Sequence, residues 1–315
     1  MSSLESWVKS LIDIMKRSLD SNGLPIPMDK SYCSEWARDL NIPRGGGDTI
    51  IYTSCLYQMA PMINQLVPWI EKIRGTPLSG LAGVLSRFAG FVIKPNRADI
   101  DRANGIIRNI AKALIKAGIN FGFLYDDEPY SGALLHEIGA EDIFLEYFEN
   151  TVLKTFRKYG GVRRVITIDP HTHNVLTNVA PNYFKLDFEV VNYLDLIKGV
   201  RVRPKISGDV VIHDSCLYAR YLGKYDVYRS ILDNAGVKHV EDPLITGRDT
   251  STCCGGPLES LSPELSRKIA KIRIENLSKL SRTVVTVCPI CLANLGRNAE
   301  GVVQVLDINE VVEAE

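Results

Sequence analysis

The chain has 315 residues, which predicts two domains of ordinary size. Lysine plus arginine and aspartate plus glutamate both number 37, so the formal net charge is zero. This balance argues against a nucleic-acid-binding protein, which usually carries a basic excess, and it favours association, including with a second copy of the chain.

In chain order, the first predicted segment is a helical connector at residues 1–47. Residues 1–15 are an amphipathic mix without an apolar run or a cleavage site, so no signal peptide is expected. The most apolar stretch, 78–93, contains Arg87 and is too short and too polar to span a membrane. We therefore expect a cytoplasmic protein without a transmembrane segment, peripheral to a membrane only through partners.

Two parts of the remaining chain resemble each other, which indicates an internal repeat. The matching segments are 50–57 with 211–218, and 165–170 with 284–289. We place the first copy at residues 48–200 and the second copy at residues 206–315. The basic run between them, at 201–205, is interpreted as a solvated linker.

Each copy shows short β-branched segments alternating with amphipathic helical segments, which predicts parallel strands joined by crossover helices. The strands predicted for the second copy are 209–213, 237–241, 283–287 and 302–306. Its clearest helix is 263–281, with Ser262 as the cap and Leu265, Ile269, Ile272 and Leu280 near one face. The expected fold class is α/β, with two tandem related domains and mainly parallel sheets.

The first copy differs from the second by a helical insertion at about 61–99. The insertion carries apolar residues that include Leu85 and Phe88. A protein interface and packing over the sheet of the first copy are both open interpretations of this segment.

Five of the seven cysteines lie within 76 residues of the second copy. We call them the cysteine set: Cys216, Cys253, Cys254, Cys288 and Cys291. Disulfides are not expected in a reducing compartment, so clustered thiols indicate metal or redox chemistry, and thiolates suit zinc, copper(I) and iron–sulfur clusters. Adjacent Cys253 and Cys254 could bind different irons of one cluster, and five thiolates exceed the four of a closed zinc site. An iron–sulfur cluster is therefore predicted, with zinc and unligated thiols as the alternatives.

The first copy has lost most of these thiols. Where the second copy has Cys253-Cys254-Gly255 and Cys288-Pro289-Ile290-Cys291, the first has Tyr130-Ser131-Gly132 and Asp169-Pro170-His171-Thr172. It keeps Cys55 at the position of Cys216, and we expect a buried thiol there and a structural role for Cys33. Asp169, His171 and His173 could ligate a metal, or they mark a decayed cysteine site.

Three further residues are candidates near the cysteine set. His213 and Asp214 precede Cys216 and are expected either to hydrogen-bond near the cluster or to serve only the strand end. Arg220 could tune the cluster charge or bind an anionic substrate, and a surface ion pair is the alternative.

The pattern Cys-x36-Cys-Cys-Gly-x32-Cys-Pro-x-Cys in residues 206–315 resembles the cysteine-rich CCG domain. That domain occurs in heterodisulfide reductase subunits B and D and in iron–sulfur subunits of glycolate, lactate and anaerobic glycerol-3-phosphate oxidoreductases. Residues 213–220 resemble the family's H-D-P-C-Y-L-G-R stretch. The first copy resembles the same domain with its Cys-Cys-Gly changed to Tyr-Ser-Gly.

The resemblance implies a noncubane [4Fe–4S] cluster on the cysteine set, one per chain. It implies an iron–sulfur subunit of a heterodisulfide reductase-like complex, acting on thiol, disulfide or persulfide sulfur with a ferredoxin-like subunit and a flavoprotein as partners. Two alternatives stay open. One is an electron relay from a hydroxy-acid dehydrogenase to quinone, and the other is a zinc-stabilised, non-catalytic interaction protein.

Overall fold

The strands of this protein form two parallel sheets and one short antiparallel pair. The structure, a computed structural model, describes residues 3–45, 47–73 and 94–315. The strands are β1 Thr49–Tyr52, β2 Arg164–Thr167, β3 Glu189–Asn192, β4 Val202–Pro204, β5 Val210–Ile212, β6 His239–Val240, β7 Thr283–Thr286, β8 Gln304–Asp307 and β9 Val312–Ala314. One parallel sheet has the order β1-β2-β3, the other has the order β6-β5-β7-β8, and β4 pairs with β9.

Helices cover and connect these sheets. They are α1 Ser3–Asn22, α2 Leu56–Ile73, α3 Arg97–Lys116, α4 Ala133–Glu137, α5 Glu141–Tyr147, α6 Lys154–Lys158, α7 Pro170–Asn174, α8 Tyr193–Ile197, α9 Tyr225–Asn234, α10 Pro263–Ser278, α11 Pro289–Asn298 and α12 Ile308–Val311. The parallel strands with intervening helices confirm the predicted α/β class. Leu85 and Phe88 of the predicted insertion lie outside the described residues, while α2 and α3 extend into its two ends.

The internal repeat appears as a shared strand register. The equivalent partners are Ile50–Val165–Val190 in the first copy and Val211–Val284–Val305 in the second. The parallel bridge between Ile50 and Gly122 matches the pair of Val211 and Val240. Because residues of the matching segments occupy equal positions in the two sheets, the two copies are related in three dimensions and not only in sequence.

Apolar side chains on both faces of the strands form cores that both copies share. One cluster of buried residues contains Ile50 and Val211, and another contains Ile51 and Ile212. Successive strand residues point to opposite faces, so each sheet contributes to both clusters. The two sheets therefore pack against shared apolar clusters.

One local prediction for α10 is wrong, the face of the helix that is buried. Leu265 and Ile272, expected to face the core, are 47% and 60% exposed, whereas Ala270 and Arg273 are buried. Arg273 is accepted inside because it donates hydrogen bonds to the backbone carbonyls of residues 245 and 246 and to a histidine described below. Ser262 stands at the N-cap but makes no side-chain capping bond.

The predicted linker at 201–205 is also corrected, because most of it is strand β4. Its basic side chains pair with the end of the chain, Arg203 with Glu313 over 2.7 Å and Arg201 with Glu315 over 2.7 Å. Exposed pairs of this kind add little stability, so the backbone pairing of β4 with β9 is the main reason for the ordered structure here.

Candidate metal centre

The cysteine set comes together beyond the carboxyl ends of the strands in the four-stranded sheet. Cys216 follows β5, and Cys253 and Cys254 lie in the loop after β6. Cys288 follows β7 as the N-cap residue of α11, and Cys291 lies in the first turn of that helix. Sites in open parallel sheets form at this edge because the strand ends and following loops converge there.

The five thiols lie near one another, and the sulfurs of Cys254 and Cys291 are within 4.8 Å of each other. The pKa of each thiol is shifted by a neighbouring thiol, in the order Cys216, Cys253, Cys254, Cys291, Cys288. Cys254, Cys288 and Cys291 are buried, whereas Cys216 and Cys253 are partly exposed. The site therefore has a closed end and an open end.

Two glycines allow the loop to fold closely around the paired cysteines. The backbone N–H groups of Gly255 and Gly256 donate to Cys253 Sγ and Cys254 Sγ respectively, both over 3.3 Å. Gly255 has φ +85°, and a Cβ there would lie 2.9 Å from the backbone oxygen of Ser266. Such amide donors stabilise negative charge on sulfur, as in iron–sulfur proteins.

The thiols cannot all ionise together without a compensating cation. Hydrogen bonds from Cys216 and Cys254 lower the pKa of Cys253 to about 2. The pKa of Cys254 is raised by its neighbour Cys253, and the pKa of Cys291 is raised by Cys254 and Cys288. A metal centre supplies the positive charge that five buried or half-buried thiolates require.

A histidine next to the thiols has one ring nitrogen with no partner. Nδ1 of buried His213 accepts a hydrogen bond from Arg273 Nε over 3.0 Å, so its proton is on Nε2. That Nε2 is buried without a hydrogen-bond partner. One ring nitrogen of His213 lies within 4.8 Å of the sulfurs of Cys254 and Cys291. An acceptor such as a cluster sulfur would satisfy this donor, so the residues present fit an iron–sulfur group.

Several positioning residues were missed by sequence reasoning. Buried Asn294 donates from Nδ2 to the backbone oxygen of Cys254 over 2.8 Å, and it contacts Ser266 of α10. Its place one turn after Cys291 on α11 was the available signal. Arg273 gave no such signal, since a charged residue inside an amphipathic helix usually faces solvent.

In the first copy, Ser131 stands at the position of Cys254 and Thr172 at the position of Cys291, and a third hydroxyl, that of Ser54, lies beside them. Ser54 Oγ donates to Ser131 Oγ over 2.8 Å, and Thr172 Oγ1 lies 3.3 Å from Ser131 Oγ. Cys55 is not the free buried thiol that we predicted, because it forms a disulfide with Cys33. The expectation that the chain has no disulfide is wrong for this pair, whose Cα atoms lie 5.0 Å apart.

The possible metal ligands of the first copy have separate partners. Asp169 accepts from the backbone N–H of Thr172 over 2.8 Å, and His173 Nδ1 lies 2.8 Å from Thr167 Oγ1. His171 instead points towards the second copy, where its Nε2 lies 3.3 Å from Cys288 Sγ. This arrangement favours the decayed-cysteine interpretation over a second metal site.

Asp214 and Arg220 are separate from the thiols in their contacts. Asp214 is buried and accepts two hydrogen bonds from Arg229, over 2.8 Å and 2.9 Å, and one from the backbone N–H of Arg248. It therefore stabilises the loop that leads to Cys253. Arg220 is exposed in the helical segment Leu217–Tyr221.

The fold and the thiol arrangement define a cysteine-rich α/β domain, and the comparison with known families agrees. Residues 210–296 match the family described as "Cysteine-rich domain", CCG. This match confirms the resemblance that the cysteine pattern predicted.

Three curated relatives match about two thirds of the chain. They are "Probable iron-sulfur-binding oxidoreductase FadF" of Bacillus subtilis (32% identical over 67% of this chain), "EtfAB:quinone oxidoreductase" of Syntrophomonas wolfei (27% over 67%) and a dihydromethanophenazine:CoB--CoM heterodisulfide reductase subunit of Methanosarcina mazei (26% over 64%). The matches span 32%, 32% and 52% of these relatives, so the chain corresponds to about a third of two of them and about half of the other. No solved structure matches significantly.

A membrane span requires a helix of about 20 mostly apolar residues. None of the helices in 3–45, 47–73 and 94–315 is both long enough and apolar enough to cross a bilayer.

Proposed function

We propose that the cysteine set holds one noncubane [4Fe–4S] cluster and that the chain is the iron–sulfur subunit of a heterodisulfide reductase-like oxidoreductase. The observation that carries the proposal is the gathering of five cysteines around a glycine loop at one edge of the sheet, with the unpaired Nε2 of His213 and the sulfurs of Cys254 and Cys291 at the same place. The iron–sulfur and oxidoreductase names of the relatives support the same class of cofactor and chemistry.

The open end of the site suits a sulfur-containing substrate. Cys216 and Cys253 are partly exposed, so a thiol, disulfide or persulfide can approach them, whereas the buried thiols exclude water from the other end. The bound cluster would supply electrons one at a time at this edge. Reducing a disulfide takes two electrons and gives two thiolates, so the chain must receive electrons from elsewhere.

Partner subunits follow from this requirement. We infer that a ferredoxin-like subunit and a flavoprotein deliver or accept the electrons. The matched relatives extend well beyond the region that this chain covers, and one of them is itself named as a subunit of a reductase. This supports an arrangement in which further cofactors lie on other parts of the complex.

A second candidate function is an electron relay that leads to quinone. It is favoured by the relative named as a quinone oxidoreductase, which is slightly more similar to this chain than the heterodisulfide reductase relative. In a relay the cluster only passes electrons, and a dehydrogenase partner, such as one for hydroxy acids, supplies them.

Anaerobic purification followed by titration with small thiols and disulfides distinguishes these functions. Iron and sulfide with an EPR spectrum that changes on thiol addition would support sulfur chemistry at the cluster. An unchanged spectrum at saturating ligand would support the relay instead. Zinc without sulfide would contradict both functions. Cys216→Ser is the test variant for the open end, and Cys55→Ser is its matched control at the equivalent position of the first copy.

A further inference from the structure

We propose that His171, a residue of the first copy, is a positioning residue of the iron–sulfur site and raises the reduction potential of the cluster by donating a hydrogen bond to the Cys288 thiolate. This inference rests on the proposed function, because it needs a cluster on the cysteine set. The first copy, which has lost its own thiol ligands, thereby contributes a residue to the redox site of the second copy.

The contact is short and fully enclosed. His171 Nε2 lies 3.3 Å from Cys288 Sγ, and the two residues are 4% and 1% exposed. On the other side of the ring, Nδ1 lies 2.5 Å from Oε1 of Glu137. The imidazole is therefore fixed between a carboxylate and a thiol, as outer partners commonly hold the ligands of metal proteins.

The secondary structure explains why the ring points at the second copy. Asp169 caps the start of α7 by accepting the backbone N–H of Thr172, and Pro170 occupies the first turn. This places His171 on the helix that corresponds to the start of α11. Glu137 is the last residue of α4, which follows the left-handed Gly132 turn. Both helices belong to the first copy, which therefore keeps the backbone arrangement of the site although it has lost the thiols.

The charges on either side keep a proton available on the ring. The Glu137 carboxylate beside Nδ1 and the Cys288 thiolate beside Nε2 are both hydrogen-bond acceptors, so the ring between them carries a proton on each nitrogen. The Nε2–H then faces a sulfur that carries negative charge when it binds iron. Hydrogen bonds to cluster sulfurs favour the state with the extra electron and so raise the reduction potential.

The test is an EPR-monitored redox titration of the anaerobic full-length chain and its His171→Ala variant, with iron and sulfide measured in both. We expect the variant to keep its iron and to show a midpoint potential shifted to a more negative value. The expected shift of the midpoint potential is about 59 mV, which corresponds to a tenfold change in the one-electron equilibrium constant. His171→Gln retains an N–H donor and should recover part of the shift.

Two further variants make the result specific. Glu137→Gln keeps the imidazole but replaces the carboxylate that holds its Nδ1. We therefore expect a smaller shift of the midpoint potential in the same direction. His136→Ala is the matched control, since His136 also pairs with a glutamate, Glu141 over 2.8 Å, and should leave the potential unchanged.

Three outcomes would overturn the inference. An unchanged potential in His171→Ala with full iron content would show that the hydrogen bond has no effect on the cluster. Loss of iron in both His171→Ala and His171→Gln would show an iron ligand and not a donor to sulfur. A wild-type chain that binds no iron would reject the proposed function itself, and the inference with it.

Discussion

Gly132 and Gly255 have the same backbone conformation, with φ 85° and ψ 0° at each. Each stands directly before a short helical segment in its own copy, and each is preceded by a different pair, Tyr130-Ser131 in the first copy and Cys253-Cys254 in the second. The turn that a cysteine pair needs has thus been kept where the cysteines are absent. The effect of the backbone turn can therefore be tested separately from the effect of the cysteines.

The number of clusters is the first prediction. Because hydroxyl groups of Ser54, Ser131 and Thr172 fill the equivalent site of the first copy, we expect one cluster per chain. Anaerobic protein should contain about four irons and about four sulfides, as a [4Fe–4S] cluster requires. Metal and sulfide analysis with EPR spectroscopy checks this. About eight irons with two distinct signals would contradict it.

The second prediction concerns the glycine loop. Gly255→Ala should lower the iron content by more than half, because its Cβ would lie 2.9 Å from the backbone oxygen of Ser266 and would displace Cys253 and Cys254. Gly139→Ala is the matched control. Gly139 also has a positive φ, +80°, but a Cβ there meets nothing within 4 Å. It should cost about 1 kcal/mol of stability and leave iron unchanged. Equal iron contents in the two variants would contradict the role of the close approach.

The disulfide between Cys33 and Cys55 provides a third prediction. Cys55→Ser should keep the iron content of the wild type, because Cys55 is bonded to Cys33 and not placed among the five thiols. It should lower the free energy of unfolding by about 3 kcal/mol, the effect of opening a loop of roughly 20 residues, and only in the absence of reductant.

Thermal unfolding with and without dithiothreitol, together with iron analysis, measures both effects. Cys33→Ser should behave in the same way, and Cys288→Ser should lose iron. If Cys55→Ser loses as much iron as Cys288→Ser, the first copy supplies a ligand and the assignment of roles to the two copies is wrong.

A buried carboxyl group gives the fourth prediction. Burial raises the pKa of Glu128 to about 8, although hydrogen bonds from Thr53 oppose the shift. The folded protein then binds a proton between about pH 4.3 and about pH 8 that the unfolded chain releases. The contribution of Glu128 to stability therefore falls as the pH rises through this range.

Glu128→Gln should remove that part of the pH dependence. Urea unfolding at pH 5 and pH 8 should show a smaller loss of stability in the variant than in the wild type. Glu149→Gln, at an exposed position, is the control and should leave the slope unchanged. A Glu128→Gln variant with the wild-type slope would show that the carboxyl group is ionised in the folded protein throughout.

Local patterns in the sequence were enough to place the cysteine set and the repeat. Alternation of β-branched segments with helices predicted the strands that end near Cys216 and Cys288, and parallel strands bring their carboxyl ends to one edge. The matching segments 50–57 and 211–218 occupy the same position in the two sheets. These features depend on periodicity and spacing, which are properties of short segments and are present in the chain before it folds.

Only the tertiary structure decided the contacts between distant segments. The pairing of Cys33 with Cys55, the burial of Arg273 against His213 and the approach of His171 to Cys288 each join residues whose neighbours in sequence give no sign of the partner. The buried face of α10 belongs to the same group, since a charged side chain can face inward only where acceptors from other elements meet it. Spacing along the chain specified which residues lie at the edge of the sheet, and packing between segments distant in sequence determined which side chains lie beside them.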